Sequence, residues 1–91
     1  MREMSRGTAE VAVPPVAVYC HTHCLGGEEA IAWLRSAQIP FRVYDIGRDA
    51  NARAAWRALG AHPSPVLVVN GQVLVGFDRV EVARLLGRAP A

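Results

Sequence analysis

The chain is predicted to be an α/β domain with the element order β-α-β-α-β-β-α and a four-stranded mixed sheet. Three observations lead there. Short apolar runs rich in β-branched residues alternate with segments whose apolar residues fall at helical spacing. Each helical segment is followed by a glycine or proline stop, at Pro40, Gly60 and Gly87. Asn70-Gly71 lies between two apolar runs, and this dipeptide suits a two-residue hairpin because a type I′ turn needs positive φ at both central positions.

Met1 to about Ala12 is polar and without periodicity, and residues 1–13 are predicted to be a mobile tail. Pro14-Pro15 marks the entry to a domain spanning residues 14–87, with 88–91 a short C-terminal tail. Val16 to Tyr19 reads as a buried strand. A helix is expected over Glu28 to Ala37, with Ile31, Leu34 and Ala37 on one apolar face and Trp33 beside them. Gln38-Ile39-Pro40 stops it.

Phe41 to Ile46 alternates apolar and polar, as a half-buried strand does. Asp49 is placed to cap a second helix whose stripe is Ala52, Ala55, Trp56 and Leu59. A loop carrying His62, Pro63 and Pro65 precedes the two hairpin strands, Val66 to Val69 and Gln72 to Val75. Asp78 with Glu81 fits a capping box for a last helix, in which Val82, Leu85 and Leu86 face inward. The first two strands, joined through a helix, should be parallel; the last two should be antiparallel.

Composition limits what such a domain can do. Ninety-one residues suffice for one small core. A net charge of +2, with ten scattered arginines and no lysine, offers no nucleic-acid surface. No apolar run approaches the ~20 residues that span a bilayer. Pro14-Pro15 interrupts the stretch that imitates a signal peptide, so a cytoplasmic location is expected. Two cysteines are too few for a secreted disulfide scaffold and point instead to redox or metal chemistry.

Both cysteines fall in Tyr19-Cys20-His21-Thr22-His23-Cys24-Leu25-Gly26-Gly27, between the first strand and the first helix. Cys24 stands at the helix N-terminus, where unpaired N–H groups and the macrodipole favour a negative charge. Cys20 lies at the strand end, where it is either a small buried hydrophobe or a second thiol. Glu28 and Glu29 suit a first helical turn but oppose a nearby thiolate.

The markers Val18-Tyr19, Cys24, Ile39-Pro40-Phe41, Asp45, Gly60, Pro65-Val66, Asn70-Gly71 and Gly76-Phe77-Asp78, in this order, resemble the glutaredoxin family and its thioredoxin-like fold over about Val16 to Leu86. The resemblance implies a thiol-disulfide oxidoreductase. The family uses Cys-x-x-Cys, whereas Cys20 and Cys24 form Cys-x-x-x-Cys. The match runs without a gap only if Cys24 takes the first-cysteine place. The tetrad is then Cys24-Leu25-Gly26-Gly27, monothiol in type, with Gly27 where the second cysteine would stand and Cys20 a candidate resolving thiol.

Other roles follow from the same resemblance. Pro65 matches the cis-proline facing the nucleophile, and Ser64 before it offers its backbone to an extended thiol substrate. His21 falls where many glutaredoxins have a lysine supporting thiolate and glutathione, and is either a site residue or solvated. Gly76, Phe77 and Asp78 match the segment holding the γ-glutamyl end of glutathione, although Arg79 replaces a second acid. Implied partners are a protein disulfide or mixed disulfide, and glutathione, another low-molecular-weight thiol or a thioredoxin-reductase-like reductant, with no tightly bound cofactor, nucleic acid or membrane. The alternative is a metal or iron–sulfur module using Cys24 with Cys20, His21 and His23; a partner-binding domain without catalysis is a third reading.

Overall fold

The computed structural model describes residues 14–60 and 63–88. The tail expected over 1–13, most of that over 88–91, and His62 lie outside the described residues. The elements are β1 (Val16–Cys20), α1 (Leu25–Ser36), β2 (Phe41–Asp45), α2 (Ala50–Ala58), β3 (Val66–Val69), β4 (Gln72–Val75) and α3 (Arg79–Leu85). The expected order is therefore observed, and the fold is thioredoxin-like.

The sheet order is β2-β1-β3-β4. Strand β1 pairs parallel with β2 and antiparallel with β3, and β3 pairs antiparallel with β4. Because side chains alternate across a strand, β1 feeds two cores. Val16, Val18 and Cys20 point into one, with Ala30 and Leu34 of α1, Val82 of α3, and Leu67 and Val69 of β3. On the opposite face Tyr19 stacks on Tyr44 at 4.7 Å between centroids, beside a second core of Ile46, Ala52, Trp56 and Val66. The sheet is thus sandwiched between helices.

Both predicted N-caps form. Asp49 Oδ1 accepts from the N–H groups of Asn51 and Ala52, and Asp78 Oδ1 from those of Val80 and Glu81. Glu81, expected to close a capping box with Asp78, has both carboxylate oxygens on Arg84 instead. At the hairpin Asn70 and Gly71 take φ of 48° and 85°, the left-handed pair that a type I′ turn requires.

Four details differ from the sequence reading. Helix α1 starts three residues early, at Leu25, and buries Gly27, Ala30 and Leu34 rather than a face centred on Ile31 and Ala37. Ala55 is exposed, so α2 is held by Ala52 and Trp56. Strand β2 ends at Asp45, and Ile46 is fully buried beyond it. Val43 is 42% exposed, because β2 is an edge strand and one of its faces borders a cleft.

Candidate active site

Four residues, His21 to Cys24, join β1 to α1. The join is folded back on itself: the N–H of Cys24 donates to the carbonyl of His21 at 3.2 Å. His23 takes a φ of 65°, in the left-handed region that His tolerates better than most side chains. A second tether holds the turn from outside. Thr22 Oγ1 donates to Asp45 Oδ2 at 2.7 Å, while Asp45 Oδ1 accepts from the N–H groups of Gly47 and Arg48. The Thr22 hydrogen bond, followed by those two backbone bonds and the Arg48 charge, holds the Asp45 carboxyl below the usual carboxylate range.

The turn delivers Cys24 as the N-cap of α1, with φ −74° and ψ 119°. Its side chain makes no capping bond, so the sulfur is not committed to the helix's own N–H groups. Cys24 is half-buried and Cys20 is buried; both are free thiols. Leu25, next after the cysteine, is 78% exposed.

Gly26 and Gly27 extend the helix toward the cysteine despite their poor helix propensity, because both positions are crowded. A Cβ on Gly26 would stand 2.9 Å from Pro65 Cδ, and one on Gly27 would stand 2.9 Å from Cys20 Cβ and 3.0 Å from Cys20 Sγ. The first glycine lets Pro65 lie against the helix start; the second lets Cys20 lie under it.

The loop before β3 closes the site from the far side. The Ser64–Pro65 bond is cis, as the resemblance implies, and Pro65 is buried. Trp56 Nε1 donates to the carbonyl of Pro63 at 3.2 Å and holds the loop from below. Ser64 is positioned by its side chain, which the sequence reading did not foresee. Its Oγ accepts from the N–H of His21 at 3.2 Å and donates to Cys24 Sγ at 3.3 Å. The signal for this contact was present only in the family register, which sets the residue before the cis-proline opposite the nucleophile.

Cys20, His21 and Cys24 share a cleft of about 220 Å³ with Thr22, His23, Glu28, Ile31, Val43 and Asp45. His21 is exposed, its ring edge-on to Trp56 at 6.3 Å. His23 turns toward Glu28, Nδ1 to Oε2 3.9 Å, so the acid that opposes a thiolate has a partner on the solvent side. The structure does not bring Phe77 and Asp78 into this cleft. They border a second groove of about 670 Å³ with Glu29, Ala32, Trp33 and Arg79, on the opposite flank of α1. Phe77 packs on Trp33 at 5.9 Å, and the Asp78 carboxylate is occupied by the α3 cap. Gly76 is tied to the cis-proline through its N–H, which donates to the Pro65 carbonyl at 2.8 Å. Among the described residues no three or more of His, Cys, Asp and Glu are arranged to hold a metal ion. Nor is any described helix long and apolar enough to cross a membrane.

The glutaredoxin family profile matches residues 16–74, from the start of β1 into β4. The chain belongs to the glutaredoxin family. Solved structures agree on the fold. The thioredoxin-like protein BC3987, as the mutant T8A, superposes with a TM-score of 0.75 at 22% identity, over 82% of this chain and 97% of that one. The glutaredoxin-like protein NrdH-redoxin from Escherichia coli gives 0.68 at 21%, over 77% and 92%. Buckwheat glutaredoxin in its glutathione complex gives 0.65 at 18%, over 82% and 72%. No curated protein sequence is similar enough to this chain to count as a match. Within the matched segment the two cysteines, Cys20 and Cys24, are separated by three residues.

Proposed function

We propose that this glutaredoxin is a thiol-disulfide oxidoreductase whose nucleophile is Cys24. One observation carries the reading: a half-buried free cysteine sits at the N-cap of α1, beside the cis Ser64–Pro65 bond, and receives a hydrogen bond from the Ser64 hydroxyl. The hydroxyl and the positive end of the helix both favour charge on the sulfur.

In the reaction the Cys24 thiolate attacks one sulfur of a disulfide, forms a Cys24 mixed disulfide and expels the other sulfur as a thiolate, which takes up a proton. A second thiol then attacks Cys24 and regenerates it. Because Gly27 stands at the second-cysteine place, the second thiol comes from outside the tetrad, from Cys20 or from glutathione or another low-molecular-weight thiol, with a thioredoxin-reductase-like enzyme as the other source of electrons. Ser64 and Pro65 form the ledge along which the substrate lies, with His21 at its open end, Gly76 bonded to Pro65 behind it, and Phe77 and Asp78 contributing from the second groove. Exposed Leu25 and Val43 beside the sulfur suit a protein disulfide as well as glutathione. We place its work in the cytoplasm, where thiols are kept reduced.

The test is turnover of a glutathione mixed disulfide by purified protein. Cys24→Ser should remove activity by a factor on the order of 10³ or more, since a hydroxyl is a poor nucleophile at neutral pH without a base. Unchanged turnover would refute the assignment.

A further inference from the structure

We infer that Cys20 is the resolving thiol of this protein, moved from the helix to the end of β1, and that Gly27 is glycine to make room for it. The inference rests on Cys24 being the nucleophile.

The geometry centres on one point. At the position a Gly27 Cβ would take, Cys20 Sγ lies 3.0 Å away, Cys20 Cβ 2.9 Å and Cys24 Cβ 3.6 Å. The space that a side chain at position 27 would need is therefore filled by the Cys20 thiol, and the same point is in van der Waals contact with Cys24. An extended segment would hold the Cα atoms of residues 20 and 24 about 13 Å apart, beyond the ~4.4–6.8 Å of a disulfide. The turn closed by the Cys24 N–H on the His21 carbonyl folds the segment back and brings both cysteine Cβ atoms to within 3.6 Å of that shared point.

Burial divides the labour between the two sulfurs. Both cysteines line the same cleft, but Cys20 is only 6% exposed while Cys24 is half-buried, so the first attack on a disulfide from solution falls to Cys24. The thiol of Cys20 is pushed up, first by burial and then by the charges of Cys24, Asp45 and Glu28. It therefore stays protonated in the resting protein. Once Cys24 is bonded to substrate, its charge is gone, and Cys20 ionises more readily at the step that needs it.

The exchange then runs in two steps. Cys24 displaces one substrate thiolate and holds the other half as a mixed disulfide. Cys20 loses its proton, attacks the Cys24 sulfur, forms the Cys20–Cys24 bond and releases the second half as a thiolate, which is protonated. The substrate disulfide gains two electrons and two protons, and the two cysteines lose them. Two equivalents of a monothiol, or one dithiol, restore the protein.

The experiment is mass spectrometry of the full chain after brief exposure to glutathione disulfide, acid quench, alkylation and trypsin. The peptide between Arg6 and Arg35 contains both cysteines. In the unaltered protein that peptide should weigh two hydrogens less and carry neither alkyl group nor glutathione. Cys20→Ala should instead hold glutathione stably on Cys24. A lasting Cys24–glutathione adduct in the unaltered protein, with Cys20 still open to alkylation after unfolding, overturns the inference and leaves the Cys24 assignment intact. Glutathione on Cys20 in Cys24→Ser, at the rate seen for Cys24, overturns both.

Discussion

The Ser64 hydroxyl donates to Cys24 Sγ at 3.3 Å while accepting from the N–H of His21. One side chain thereby links the proline loop, the strand end and the nucleophile, and fixes the direction of its own proton: the acceptor side is taken by backbone, so the hydrogen points to sulfur.

Removing that donor should slow the sulfur. A hydrogen bond to a charged group contributes roughly 1.5–3 kcal/mol, so Ser64→Ala should lower the rate of Cys24 alkylation at neutral pH by about tenfold or more. Ser64→Thr, which keeps the hydroxyl, should stay within a few-fold of the unaltered protein. Equal rates for Ala and Ser would show that the contact does nothing for the anion.

Gly27→Ala reverses an ordinary rule. In an exposed helix interior, glycine to alanine stabilises by up to about 1 kcal/mol. Here the new Cβ would meet Cys20 Cβ at 2.9 Å, and overpacking of this kind costs about 1–3 kcal/mol. Denaturant unfolding should register a loss. Cys20→Gly removes both clashing atoms, so the double variant should be more stable than the two single losses predict.

Asp45 ties the active-site turn to β2 through Thr22, and its pH dependence has a definite sign. Its carboxyl is held below the usual value by the Thr22 bond first and the two backbone bonds after it. The lowered group contributes stability at all pH above its unfolded value of ~3.9, and the contribution is lost as pH falls through the lower folded value. A carboxyl carbon titration by NMR should find Asp45 still ionised at a pH where exposed aspartates are half protonated. Asp45→Ala should raise amide exchange across His21 to Cys24 at neutral pH.

Trp56→Phe should keep most of the packing of α2 and lose the bond to the Pro63 carbonyl. The expected cost is about 0.5–1.5 kcal/mol, read by thermal unfolding, with faster amide exchange at Ser64. A change confined to α2 would remove Trp56 from the support of the proline loop.

Local chemistry was legible in the sequence wherever a short stretch decides its own conformation. Asp49 and Asp78 cap because a short carboxylate reaches the next turn's N–H groups, and Asn70-Gly71 turns because both residues accept positive φ. The place of Cys24 at a strand-to-helix junction was equally local. What the sequence hid depends on residues far apart in the chain. Glycines at 26 and 27 look like helix breakers until Pro65 and Cys20 are seen against them. Val43 looks like core until the sheet order puts β2 at the edge. Ser64 on Cys24 and Thr22 on Asp45 join residues 40 and 23 positions apart, and no periodicity announces either.

Competitive labelling of the native, reduced protein with less than one equivalent of iodoacetamide, followed by peptide mapping, tests the central claim most directly. The half-buried sulfur at the start of α1 should take nearly all of the label, leaving the buried strand cysteine to react only after unfolding. Label distributed equally between Cys20 and Cys24, or found first on Cys20, would contradict the assignment of Cys24 as the nucleophile.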